Sequence, residues 1–503
     1  MTKRGIGSVR LLVANRGEIA VRIFRACRDL GIETVAVFSD ADRTAPHVTM
    51  SDYAVRLGPP PARESYLNVP AILEAARRTG ATLIHPGYGF LAENATFARA
   101  CAEAGLTFVG PTAEALEAMG SKTGSRRLME AAGVPVVPGT TRAASGPEEL
   151  KEFARRAGYP VLLKASAGGG GKGMRRVDSE SDLDSLFARV SSEARAFFSD
   201  GAVYAEKLIA HPRHVEVQVV GDTRGNRVAV GERECSLQRR HQKVVEECPS
   251  PAVGEELRSR LLSAALDAAR AVDYTSCGTV EFLLAPDGSF YFLEMNTRLQ
   301  VEHTVTEEVF GVDLAAEMIR IALGEPLSFR AGDLSRRGHA IECRLYAEDP
   351  LHDFAPSPGV ISSLRLPAGP GVRHDIGIEQ GSSVPFDYDP MLGKLVVFGR
   401  DRAQAIARLS RALAEYEITG VETTLPLFRR LTAEPDFLSG AFDVQWLERR
   451  LSEGLLEPEP VSQEDVLLAA VALSDAPARK PEGEAVAPSL WRRTARLETL
   501  RRR

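Results

Sequence analysis

The stretch from Cys277 to His303, CGTVEFLLAPDGSFYFLEMNTRLQVEH, constrains the fold more than any other. Two runs, 279–284 and 290–295, flank a Pro286-Asp287-Gly288 turn, a pattern that predicts a β-hairpin. Alternation along the strands sets Glu281 diagonally across from Glu294 on one face. If the chain stays extended, Asn296, Arg298, Gln300 and Glu302 continue that face, and Met295, Leu299 and Val301 take the other. Like charges across a hairpin repel, so this pair needs a cation between its members. Mg²⁺ takes one or two carboxylates together with phosphate oxygens. The ribbon therefore predicts a metal–nucleotide site, where a merely solvated edge strand is the plainer alternative.

A chain of 503 residues is too long for one ordinary core and suggests about three domains. Its 44% hydrophobic and 26% charged content is that of a soluble globular protein. A net charge of −6 gives no ground for nucleic acid as the main partner. No apolar stretch approaches a membrane span, and no apolar run precedes Val9 as a signal peptide would. The six cysteines show neither a C-x-x-C pair nor zinc spacing, so they read as reduced thiols and the expected location is the cytoplasm. Lysine is scarce, with nine against 53 arginines, so a retained lysine points to work that arginine's wide fork cannot do.

From the N-terminus, apolar 9–15, a turn at Gly17, helical spacing over 19–29 and apolar 34–38 predict a strand–helix–strand unit of a doubly wound sheet. The turn ANRGEIA lacks G-x-G-x-x-G, so dinucleotide binding is not supported. A strand ends at His85, and the loop HPGYGF follows at its carboxyl end, where open α/β sheets bind ligands. Further on, AGGGGKGM (167–174) sits between strands 161–164 and 174–177, which fits a flap that folds over phosphates and not a Walker loop. The segment 213–220 alternates as a strand with one polar face, and His211 and His214 lack a third metal-ligand partner. Arg239, Arg240, His241 and Lys243 form a cationic cluster suited to a polyphosphate. A β-rich region with Pro and Gly turns follows, in which Glu342 and Arg344 share a face. From Glu453 the composition turns to Ala, Pro and Glu, with one helix expected over 463–473.

Taken in order, ANRGEIA (14–20), HPGYGFLAEN (85–94), KASAGGGGKGM (164–174), RHVEVQV (213–219), CSLQRRHQKVVEE (235–247), EMNTRLQVEH (294–303), ECRLYAEDP (342–350) and YDPMLGKL (388–395) resemble the biotin carboxylase component of the biotin-dependent carboxylases, in the ATP-grasp superfamily. The resemblance implies an α/β chain, α+β in its ATP-grasp part. A doubly wound pre-ATP-grasp domain would occupy 1–120 and an ATP-grasp domain 121–330, with a Gly-rich lid near 135–210. A β-rich C-terminal domain would occupy 331–450, and 451–503 would be a peripheral tail.

The resemblance also implies roles. Lys122, Lys164, His214, Gln238 and His241 would contact ATP, Glu206, Lys207 and Ile209 would surround adenine, and Gly168, Gly169, Gly170 and Gly171 would close on the phosphates. Glu281, Glu294 and Asn296 would hold Mg²⁺ or Mn²⁺. Lys243, Arg298, Gln300 and Val301 would bind bicarbonate, Glu302 would deprotonate it, Arg344 would stabilise the biotin enolate, and Tyr88 would border biotin. The product, carboxyphosphate, decomposes in water, which gives a closing flap its purpose. Thr304 stands where the family usually has proline (QVEHP). No Met-Lys-Met acceptor occurs, so biotin is expected on a separate carrier protein, with carboxyltransferase subunits and a homodimer implied by the family. Two alternatives are another ATP-grasp ligase, of carbamoyl-phosphate or carboxyaminoimidazole type, and a non-catalytic scaffold chain. The first is not expected to combine RLQVEH, RRHQK and ECRLYAEDP, and the second is expected to lose Lys243, Glu302 or Arg344.

Overall fold

The computed structural model describes residues 9–457 apart from 141–142, 145, 166–173 and 199–200, and omits the side chains of 122–123 and 197–198. The glycine flap at 168–171, the Lys122 side chain and the helix expected over 463–473 lie outside the described residues.

The N-terminal region is a five-stranded parallel sheet in the order Tyr53–Gly58, Glu33–Ser39, Arg10–Val13, Leu83–His85, Thr107–Phe108. Its central strand shows why it must be covered on both sides. Leu11 and Val13 point into one apolar cluster with Ile19, Ile23 and Phe24 of the helix Gly17–Asp29, whereas Leu12 and Ala14 point into another with Ile72 and Phe97. Parallel strands buried on both faces read as unbroken apolar runs, as RLLV does. Each such buried aliphatic side chain contributes roughly 1.5–3 kcal/mol.

An eight-stranded sheet dominates the rest, in the order Phe290–Asn296, Ser276–Leu284, Arg213–Gly221, Arg227–Arg239, Gln242–Cys248, His339–Tyr346, Met391–Gly399, Val372–Ile376, with every neighbouring pair antiparallel. It runs without a break from the predicted hairpin into the C-terminal β-rich region. The strand Arg213–Gly221 alternates as expected, with Val215, Val217 and Val219 against the helix Glu255–Ala271. Its polar face, however, is not solvated: Glu216 and Gln218 are fully buried. Arg233 makes this possible, since its guanidinium donates to Glu216, Gln218, Thr279 and Thr306 at 2.6–2.9 Å.

A smaller antiparallel sheet orders Met174–Val177, Val161–Ala165 and Val203–Lys207. Among the described residues, no helix is long and apolar enough to cross a membrane. All six cysteines are buried thiols.

Candidate active site

The predicted hairpin forms, Ser276–Leu284 with Phe290–Asn296, but Glu281 pairs directly opposite Glu294 and not diagonally. A register shift between Glu281 and Phe282 accounts for the difference, because a bulge moves the pairing along by one residue. Nor does the chain stay extended. The strand stops at Asn296, residues 297–301 follow as an irregular loop, and Glu302 caps the helix His303–Phe310. The residues expected on one ribbon face meet all the same, through a network and not through period two. Asn296 Nδ2 and Gln300 Nε2 donate to Glu281 Oε1 at 2.9 and 3.0 Å, and Arg298 donates to the side-chain oxygens of Asn296 and Gln300 at 3.0 and 3.1 Å. The loop is tied at its start to Glu93, which accepts from the Thr297 backbone N–H at 3.0 Å and from Arg298 Nε at 2.9 Å.

At the centre lies Lys243, at the start of the strand Gln242–Cys248. Its Nζ donates to Glu216 at 2.5 Å, Glu281 at 2.8 Å and Glu302 at 2.7 Å. Arg344 spans Glu246 and Glu302, donating at 2.6 and 2.9 Å. Burial alone would raise the carboxylates. Lys243 and His214 outweigh it at Glu281, and Lys243, Arg344 and Arg233 outweigh it at Glu302, so both stay ionised well below the usual range. An ionised Glu302 with two cations against it is a carboxylate free to accept a proton.

His214 shows how the sheet fixes a tautomer. Gln238 Nε2 donates to the Cys235 carbonyl and faces His214 Nδ1, both at 2.8 Å, so the ring proton sits on Nε2, 3.0 Å from Glu281. His211, by contrast, pairs with Asp443 and takes no part. The cationic cluster is also divided. Arg239 and Arg240 are ion-paired with Glu348 and Asp353, leaving His241 and Lys243 to face the cavity.

That cavity measures about 610 Å³ and is lined by His214, His241, Lys243, Glu281, Glu294, Asn296, Arg298, Gln300, Val301 and Arg344 from the large sheet. Arg16, Glu18, Tyr88 and Phe90 line it from the N-terminal region. Tyr88 is held by the two motifs that flank it. Asn15 Nδ2 donates to the carbonyls of Pro86 and Tyr88 at 2.7 Å, and the Tyr88 hydroxyl donates to Glu18. Gly87 has φ +65°, and a Cβ there would stand 2.9 Å from Asn15 Nδ2, so this clamp requires glycine.

Not every expected residue lines the cavity. Lys164 and Glu206 pair with each other on the small sheet, and Arg126 joins them. The Lys207 side chain points to the carbonyl of Gly158 at 2.8 Å, which leaves its backbone for any ligand. Glu216, Arg233, Glu93 and Lys394 are structurally central and were absent from the sequence-predicted site. Thr304 also matters more than its one-residue departure suggests, because its hydroxyl donates to buried Glu342, a bond proline cannot make.

Glu281, Glu294 and the Asn296 amide offer hard oxygen donors beside Lys243 and His214, a set that fits Mg²⁺ or Mn²⁺. When bound, such an ion supplies charge neutralisation for phosphate oxygens.

Comparison with known families places this arrangement. Residues 121–330 match the family model "Carbamoyl-phosphate synthase L chain, ATP binding domain", which sets the class as an ATP-grasp enzyme. Residues 8–116 and 342–449 match "Biotin carboxylase, N-terminal domain" and "Biotin carboxylase C-terminal domain". The chain belongs to the biotin carboxylase family. It is 51% identical over 439 residues to a biotin carboxylase of Nostoc sp., covering 87% of this chain and 98% of that protein. It is 49% identical over 443 residues to a biotin carboxylase of Haemophilus influenzae, covering 88% and 98%. The biotin carboxylase domain dimer of Hydrogenobacter thermophilus 2-oxoglutarate carboxylase, solved with MgADP, ADP and bicarbonate, superposes with a TM-score of 0.83 at 44% identity, covering 90% and 99%.

Proposed function

We propose that this cavity carries out the ATP-dependent carboxylation, by bicarbonate, of biotin borne on a separate carrier protein. The observation that carries the reading is Glu302, held ionised between Lys243 and Arg344 beside the Glu281–Glu294 pair. In this reading Glu302 takes the proton of bicarbonate, which Arg298, Gln300, Lys243 and the Val301 backbone hold in place. The bicarbonate oxygen attacks the γ-phosphoryl group of ATP, a step governed by positioning and charge neutralisation, to which Lys243 contributes. His214, Gln238, His241, Lys122 and Lys164 contact the nucleotide, Glu206, Lys207 and Ile209 surround its base, the 168–171 flap covers its phosphates, and Glu281, Glu294 and Asn296 hold the metal. Arg344 faces the ureido oxygen of biotin and stabilises the charge that develops there, worth about 3–4 kcal/mol for one such donor. Tyr88 borders the ring.

On the same reading the chain divides near residues 120, 330 and 450, with a lid over 135–210. It works in the cytoplasm as a homodimer, with a biotin carrier and carboxyltransferase chains as partners. The dimer reading draws on the Hydrogenobacter domain, which is a dimer.

ADP release with ATP, Mg²⁺ and bicarbonate, with and without biotin, tests the proposal. Stimulation by biotin that requires bicarbonate is the expected result. Indifference to both free biotin and a biotinylated carrier would point to another acceptor. Arg344→Ala and Glu302→Ala are each expected to abolish biotin-dependent turnover while MgATP still binds, as read by calorimetry.

A further inference from the structure

Lys394 is one of nine lysines, is fully buried, and has no part in the roles above. It lies on the strand Met391–Gly399, in register with Arg344 on one side and Asp375 on the other, so the three share a row on one face of the sheet. Two cations directly opposed across strands repel unless anions stand between them. Glu302 and Glu246 serve Arg344, while Glu18 lies 3.6 Å from Lys394 Nζ. Lys394 Nζ donates to the carbonyl of Val301 at 2.6 Å. Its other neighbour Glu18 is the carboxylate that accepts from the Tyr88 hydroxyl.

The loop 297–301 has no strand or helix ladder to hold it and depends on side-chain ties. Glu93 holds its start, and His303 Nδ1 contacts the Gln300 carbonyl at 2.8 Å. Lys394 is the tie that comes from the strand next to Arg344, across the boundary between the two ends of the reaction. A compact ammonium on a long stem reaches one carbonyl in a closed space, which arginine's wider fork does not.

We propose that Lys394 is a positioning residue that sets the bicarbonate loop against Arg344, so that the carboxyl donor and the biotin acceptor are held in register, with Glu18 and Tyr88 extending the tie to the N-terminal wall. This rests on the bicarbonate and biotin roles proposed above. Misplacement of reacting groups by about 1 Å costs on the order of 100-fold in rate. Lys394→Met is therefore expected to lower kcat/KM for bicarbonate by about that factor, with KM for bicarbonate raised and KM for MgATP within about twofold of the parent.

Removing the cation also strands Glu18, so the double variant Lys394→Met/Glu18→Gln is made beside it. The expected result is that the double variant regains thermal stability but keeps the raised bicarbonate KM, and it carries the test if the single variant does not fold. A double variant with the parent's bicarbonate KM overturns the proposal, since Lys394 would then only neutralise Glu18. Arg298→Ala, assayed in parallel, separates the two levels. A raised bicarbonate KM there with a normal one in the Lys394 variants overturns the Lys394 role alone, and a normal KM in all of them overturns the bicarbonate reading with it.

Discussion

Glu281 and Glu342 both lie on the eight-stranded sheet with at most 4% of their surface exposed, yet they are held in opposite states. Glu281 is contacted by Lys243, Asn296, Gln300 and His214, and its carboxylate stays ionised far below the usual range. Glu342 accepts one hydrogen bond, from Thr304, and its Oε1 has no partner among the described residues. Burial pushes Glu342 up to about 8, and its cross-strand neighbour Glu246, despite Arg344, up to about 7. Depth is the same in both places, so depth does not decide ionisation. The number of donors aimed at the oxygens does, and it separates carboxylates that serve chemistry from those that serve packing.

The largest effect expected from this contrast is that of Lys243→Met. It leaves Glu216, Glu281 and Glu302 facing one another without the shared ammonium. Breaking a buried pair in this way costs roughly 3–5 kcal/mol, and loss of one preorganised charge in the site lowers turnover by about 10²–10³-fold. Thermal denaturation and ADP release would register both. Glu342→Gln, which copies the protonated form and can still bond Thr304, is expected to stay within about threefold of the parent at pH 7, a shift under the ~1.4 kcal/mol of a tenfold change. A Glu342→Gln variant as damaged as Lys243→Met would break the comparison.

Stability against pH sharpens it. Glu342 has a folded-state value near 8, above the ordinary 4.5 of the unfolded chain. The folded state therefore binds more protons between those values, and its stability falls as pH rises through that window. The contribution is fully present below about 4.5 and gone above about 8. Glu281 and Glu302, with depressed values, act in the opposite sense and below pH 4.5, outside the window. Urea unfolding at pH 5.5 and pH 8 is expected to show a loss of up to a few kcal/mol in the parent and a smaller loss in Glu342→Gln. Equal slopes in the two proteins would mean that Glu342 is ionised throughout.

The sequence carried the hairpin and the parallel N-terminal unit because both rest on local patterns: a Pro-Asp-Gly turn between alternating runs, and unbroken apolar strands beside an amphipathic helix. It also carried which residues meet at Glu281, but for a partly wrong reason. Period two placed Arg298, Gln300 and Glu302 on one extended face, whereas the chain turns after Asn296 and hydrogen bonds bring the same side chains together. What stayed hidden depends on pairing between distant strands. Arg233 and Glu216 looked like ordinary alternating polar positions until Arg213–Gly221 and Arg227–Arg239 paired and enclosed them. Lys394 had one local signal, a retained lysine in an arginine-rich chain, but its target is Val301, 93 residues away. Thr304 likewise gained a meaning once Glu342 stood beside it.

The smallest effect expected separates the two histidines of one short segment. His211 has its side chain 68% exposed and φ +48°, and it contacts Asp443, which keeps Arg449 and the Gln445 backbone N–H if the imidazole is lost. His211→Asn suits that left-handed backbone, because asparagine tolerates it better than most residues. An exposed pair of this kind is worth about 0–1 kcal/mol, so the variant should unfold within about 0.5 kcal/mol of the parent and release ADP at a rate within about twofold. His214→Asn removes the Nε2–H that faces Glu281 and the acceptor that faces Gln238, both in buried surroundings, where an unsatisfied group costs about 1–3 kcal/mol. The same substitution three residues apart should therefore be nearly silent in one case and costly in the other, and equal effects at the two positions would show that the Glu281 contact does not distinguish them.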